Sequence, residues 1–176
     1  MLIILKEVVE KFARLNQVLG LIGGALILIT SILITYEVIM RYLLSAAPSW
    51  TNDVSRYFLL LIAFLPVAYT LQQKDHINVD LIVSKVNKTF QTLLDIVSHI
   101  AIILFSSIVI WVTFDYFEGA IIGGRMTQGN FMIPSSWLYG VMLFGFILLI
   151  VVSLIRILEK TLKQNHLTSI QKSKNE

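Results

Sequence analysis

Four stretches of this chain run almost without a charge, and each is bounded by polar or charged residues. They cover roughly residues 18–40, 54–71, 93–114 and 134–158. Each approaches the roughly 20 apolar residues that about 30 Å of hydrocarbon requires of a helix. Strips of about 10 residues with alternating polarity, the mark of a membrane barrel, do not occur. The pattern predicts an all-α integral membrane protein. Four transmembrane helices occupy residues 18–162, with short amphipathic helices lying at the membrane surface. Ser45-Ala46-Ala47 follows the first apolar run but is no signal-peptide cleavage site. The run is too long for such a peptide, and Glu37 and Arg41 interrupt the approach to it.

Finer pattern places smaller elements around the spans. Over residues 1–17, Leu5, Val8, Val9, Phe12 and Leu15 gather near one helical face, opposite Lys6, Glu7, Glu10, Lys11 and Arg14. This segment either lies along the interface or extends span one inward. Within span one, Gly20 and Gly24 form a small-x-x-x-small pair suited to close helix packing. Glu37 and Arg41, four apart, can pair. Pro48 stops the first helix, and Ser49 or Thr51 can cap the second. Trp50 falls at headgroup depth, and Asp53 at the positive end of helix two with Arg56 one turn on. Pro66 kinks span two and frees a carbonyl for a neighbour. Residues 77–86 read as a short amphipathic helix leading to span three, which carries Asp95 and His99 near its start and Asp115 and Glu118 near its end. The connection over residues 119–131 is glycine-rich and reads as flexible. Pro134, Ser135 and Ser136 open span four, whose outer belt holds Trp137 and Tyr139. Residues 163–176 read as a polar, disordered tail. No internal repeat is evident, so the inverted repeats of a complete carrier are not indicated.

Composition agrees with the pattern. The 176 residues are 56% hydrophobic and 14% charged, with mean hydropathy +0.79. Soluble domains carry about 25% charged residues. The net charge of +3 therefore concerns orientation rather than nucleic acid. Lys6, Lys11 and Arg14, then Lys74, Lys85 and Lys88, then Arg156, Lys160, Lys163, Lys172 and Lys174 fall on one side. Only Arg41, Arg56 and Arg125 fall on the other. The positive-inside rule puts both termini in the cytoplasm.

Candidate chemistry is sparse. With no cysteine, disulfides and thiolate chemistry are excluded. The three histidines are His76, His99 and His166. A metal site through His76 and His99 would need a third ligand from Asp75, Asp80 or Asp95, which have simpler uses as partners of Lys74, Lys85 or His99. No phosphate-binding loop is present, and neither a catalytic nor a cofactor site is expected. Charges gather at the mouths of the spans and spare the middles of spans one, two and four, where a conduit would need them. A homo-oligomeric four-helix channel and a metal-dependent membrane enzyme remain alternatives.

One ordered set of residues carries a resemblance. "YEVIMRYLLSAAPSWTNDVSRYF" followed by "LQQKDHINVDLI" resembles the small membrane subunit of tripartite ATP-independent periplasmic (TRAP) transporters, the DctQ-like family. The matching positions are Arg41, Trp50, Asp53, Arg56, His76, Asp80 and Leu81. Asn52 and Asp53 stand where the family often has two glutamates. The resemblance implies a subunit of the bacterial inner membrane that braces a large membrane subunit, with a periplasmic protein delivering the solute. It places the Na⁺ sites in the large subunit and implies no cofactor here. On this reading Arg41, Trp50, Asp53, Arg56, His76 and Asp80 anchor the small subunit at its two mouths, with lipid around it. The solute implied is an organic acid such as a dicarboxylate or sialic acid.

Overall fold

The computed structural model describes residues 2–45, 48–74 and 88–173. Five helices make up the fold: α1 Leu2–Leu43, α2 Ser49–Phe64, α3 Val67–Lys74, α4 Lys88–Ile122 and α5 Ser135–Ser173. Four segments are long and apolar enough to cross a membrane, at Val9–Leu43, Ser49–Gln73, Leu93–Ile122 and Ser135–Leu158. No strand occurs among the described residues. Helices are expected in lipid because each satisfies its own backbone there.

Two elements differ from expectation, and one open alternative is resolved. Residues 2–17 extend span one, as the first turns of α1. Nothing in the sequence breaks the helix at this junction, and Asn16 is fully buried there, donating from Nδ2 to Gln72 Oε1 of α3 at 3.0 Å. That bond holds the junction straight against α3. Nor is the tail irregular, since α5 continues to Ser173. Residues 159–173 contain neither Pro nor Gly, and extending a formed helix needs no new nucleus. The glycine-rich connection after α4 is an ordered hairpin, described below.

Span two breaks where Pro66 predicts. α2 ends at Phe64 and α3 begins at Val67, because Pro66 has no amide hydrogen for the Ile62 carbonyl and its ring opposes a straight helix. The break is packed from two sides. A Cβ on Gly23 of α1 would come within 2.8 Å of the Pro66 ring, and one on Gly145 of α5 within 2.5 Å of the Phe64 carbonyl oxygen. Gly20 lies against the Tyr69 ring, whereas a Cβ on Gly24 would meet nothing within 4 Å. The glycines that admit span two are thus Gly20 and Gly23, not the expected Gly20 and Gly24. Successive close contacts at three to four residues keep one helical face turned to α3, and Gly24 has rotated off it.

The helices form an open row. α1 packs on α2 and α3, these pack on α5, and α5 packs along α4, while α2–α3 and α4 make no extended contact. The small core lies where α1, α3 and α5 meet, around Leu19, Ala68, Leu148 and Val152, with Phe12, Leu65 and Leu71 against it. Large apolar side chains such as Leu21, Ile32 and Trp111 stand outward at 70–77% exposure. Such a surface is untenable in water but costs nothing against lipid tails or apolar partner helices. The chain is a multi-pass membrane protein.

Candidate functional site

The polar residues of span two sit in two clusters, one at each end. At its start, Pro48 occupies the cap position of α2 with no side-chain capping bond. Thr51 is fully buried, but its hydroxyl bonds back to the Pro48 carbonyl at 2.7 Å. The expected caps from Ser49 or Thr51 do not form. Pro48 fixes the entry angle, and the free end of the helix is left to what packs over it.

What packs there is the hairpin after α4. This helix stops because Gly124 adopts φ +56°, with the Arg125 amide bonded to the Ala120 carbonyl at 3.1 Å and the Gly124 amide to that of Ile121 at 3.4 Å. This pairing is the Schellman arrangement that glycine permits. The chain then folds back. The Thr127 amide bonds to the Ile133 carbonyl at 2.9 Å, the Ser135 amide to the Arg125 carbonyl at 2.9 Å, and the Ile133 amide to Thr127 Oγ1 at 2.9 Å.

Asp53 and Tyr57 of α2 clasp this hairpin. Asp53 is 6% exposed, and its Oδ2 accepts the amides of Asn130 at 2.7 Å and Phe131 at 3.1 Å. Gly129, at φ +143°, lies so close that a Cβ there would come within 2.5 Å of Asp53 Oδ2. One turn on, the Tyr57 hydroxyl donates to the Phe131 carbonyl at 2.7 Å and shares a 2.7 Å bond with Thr127 Oγ1. A carboxylate that accepts two backbone amides makes stronger bonds than a neutral group would. Asp53 therefore works within its own chain: it fastens the start of span two to the hairpin joining spans three and four.

The other expected residues of this end separate. Arg56 is exposed and does not pair with Asp53, whose carboxylate is turned into the hairpin. Trp50 is 46% exposed. Arg41 pairs with Glu37 as expected, with the Arg41 side chain 57% exposed and that of Glu37 13%. Trp50, Arg41 and Arg56 are thus presented outward, while Asp53 is not. Beside them Phe131, Met132 and Trp137 are exposed at the same end.

At the other end of span two, Gln72 links three spans. Its side chain takes the Asn16 bond, and its carbonyl accepts from the Arg156 guanidinium of α5 at 2.9 Å. Val9, Phe12, Val152 and Ile155 wall a cavity of about 170 Å³ beside these groups. His76 and Asp80, expected at this mouth, and the helix expected over 77–86 lie outside the described residues. His99 is buried and donates from Nδ1 to the Asp95 carbonyl at 2.7 Å, not to its carboxylate. No group of three metal-binding side chains occurs among the described residues.

Tyr57, Thr127, Asn16 and Gln72 do not stand out in the sequence pattern as site residues. Asn16 carries a signal, being an amide in the apolar approach to span one. The hairpin contacts carry none, since their partners lie 70 or more residues apart.

The Arg41-to-Asp80 pattern, four spans and an apolar exterior are joined by one further observation. A family model described as "Tripartite ATP-independent periplasmic transporters, DctQ component" matches residues 30–163. The chain belongs to the DctQ family. It is thus a small permease component of the TRAP type, from a family of transporter subunits and not of enzymes. It is 25% identical over 117 residues to a candidate TRAP transporter small permease protein of Haemophilus influenzae, covering 66% of this chain and 68% of that one. It is 26% identical over 101 residues to the isethionate TRAP transporter permease protein DctMQ of Oleidesulfovibrio alaskensis, covering 54% of this chain but only 16% of that protein. The matched family segment includes both the Asp53 clasp and the hairpin it holds.

Proposed function

We propose that this DctQ-family chain braces a large transport subunit of the inner membrane in Na⁺-coupled uptake of an organic acid, such as a dicarboxylate or sialic acid. A periplasmic binding protein delivers the solute, and the Na⁺ sites lie in the large subunit. Both termini face the cytoplasm, as the distribution of basic residues favours. The observation that carries the reading is the DctMQ relative, in which a stretch like this chain makes up 16% of a longer permease. A segment continuous with a permease is held beside it at high effective concentration, which favours packing on it. The open row supports the same role, since a single layer of helices with exposed apolar faces suits association with other helices.

In this role the outer end divides its work. Asp53 and Tyr57 set the hairpin, and Arg41, Trp50, Arg56 and the hairpin's exposed Phe131 meet the large subunit or the binding protein. His76 and Asp80 anchor the inner turn. The homo-oligomeric channel is the less favoured reading, because apolar faces and mouth-only charges offer ions no polar lining. Proteoliposomes test both. The chain alone is expected to pass neither ions nor organic acids. Together with its large subunit and binding protein, it should support uptake driven by an inward Na⁺ gradient. Ion flux through the chain alone would overturn the bracing role in favour of the channel.

A further inference from the structure

We propose that the cavity between α1, α3 and α5 holds the phosphate of an anionic phospholipid, with the Arg156 guanidinium as its cation. The inference rests on the membrane placement of the spans and stands apart from the bracing role.

The position of the cavity sets the class of ligand. Val9, Phe12 and Ala13 belong to the first turns of the span Val9–Leu43. Gln72 lies one residue from the end of Ser49–Gln73, and Arg156 two residues from the end of Ser135–Leu158. Three spans thus put their terminal turns around the cavity, within about 6 Å of their ends along the helix. That is the boundary where hydrocarbon gives way to headgroups, in the leaflet on the side of the two termini. Apolar side chains line most of the cavity, which suits an amphiphile better than a freely hydrated ion. Its volume of about 170 Å³ takes a phosphate and its ester carbons and leaves the acyl chains in the bilayer.

The charge sets the headgroup. Arg156 carries the one formal charge among the described lining residues, and no carboxylate lines the cavity with it. An arginine this near the end of a span ordinarily extends to water. Arg156 is instead half-buried and turned onto a neighbouring span, where its Nη2 donates to the Gln72 carbonyl at 2.9 Å. That carbonyl belongs to the last turn of α3, where no amide of the helix reaches it. The bond holds the planar guanidinium at the wall of the cavity. Gln72 is fixed in turn by the fully buried Asn16. The fixed fork of five guanidinium donors lets a phosphate be bound together with that carbonyl. Basic pockets between spans at this depth are suited to anionic headgroups. The larger gap between α2–α3 and α4 has no charged side chain in its lining and offers such a headgroup nothing.

The full-length tagged chain is purified from its native membrane in mild detergent and stripped of lipid. It is then titrated with dioleoylphosphatidylglycerol, dioleoylphosphatidylcholine or inorganic phosphate. Binding is read by native mass spectrometry and by the shift in melting temperature. One phosphatidylglycerol per chain is expected to survive gas-phase activation that strips phosphatidylcholine. Arg156→Gln should reduce its retention several-fold, and so should Ala13→Phe, which fills the cavity while keeping the guanidinium. Arg125→Gln, in the hairpin at the opposite end of the spans, should retain it in full. Ala13→Phe decides the matter where Arg156→Gln does not fold. Equal retention by the unmodified and Ala13→Phe chains, or phosphatidylcholine held as firmly as phosphatidylglycerol, overturns the site. Inorganic phosphate that stabilises the chain where phosphatidylglycerol does not overturns the lipid in favour of a free anion.

Discussion

At the scale of the single residue, the structure divides motif positions that sequence groups together. Asp53 is buried and accepts two amides of the hairpin, whereas Arg56, one turn away, is exposed. Asp53→Ala would leave two donors without their charged acceptor, a loss of roughly 1–3 kcal/mol. Faster hydrogen exchange at the Asn130 and Phe131 amides and a lower detergent melting temperature are expected. Unchanged exchange at both amides would refute the clasp. Gly129→Ala should give the same exchange pattern, since its Cβ would displace the Asp53 carboxylate. Arg56→Ala, by contrast, should leave stability within about 0.5 kcal/mol. Arg41→Ala removes an exposed pair with Glu37, and such pairs contribute about 0–1 kcal/mol. The variant should fold normally yet be recovered with less of its large subunit. Normal folding with full recovery would remove Arg41 from the partner contact.

At the scale of the element, helix approach is set by which glycines face which backbone. Gly145→Val should be destabilising by roughly 1–3 kcal/mol, as overpacking of a fitted interior is, because its side chain would meet the Phe64 carbonyl rather than a movable group. Gly24→Ala, where an added Cβ meets nothing, should be neutral or slightly stabilising through helix propensity. Thermal unfolding of the two variants in one detergent makes the comparison, and equal losses would contradict the packing described. These elements also show what sequence could carry. The four spans, the break at Pro66 and the Glu37–Arg41 pair were legible because each depends on residues within a few turns. The small-x-x-x-small spacing points to Gly24 and not Gly23, because a spacing rule does not say which face a helix turns to its neighbour. The hairpin read as flexible because its order comes from Asp53 and Tyr57, far away in sequence. Polarity alone reads residues 163–173 as disordered, whereas with no breaker there the helix continues through them.

At the scale of the whole molecule, an open row of four spans leaves many more large apolar side chains exposed than buried among the described residues. Lipid and larger membrane partners can both cover it, and orientation decides which end meets the periplasm. Single cysteines at residues 3 and 170 should react with an impermeant maleimide only after inner-membrane vesicles are opened to expose the cytoplasmic side, and one at residue 128 only from the periplasm. Labelling of residue 3 or 170 from the periplasm would reverse the proposed topology and place the Asp53 hairpin in the cytoplasm. The bracing role itself is tested most directly by purifying the tagged chain from its native membrane in mild detergents and identifying what accompanies it by mass spectrometry. A large polytopic subunit in constant stoichiometry is the predicted result. A homo-oligomer with no such companion in any detergent would contradict it.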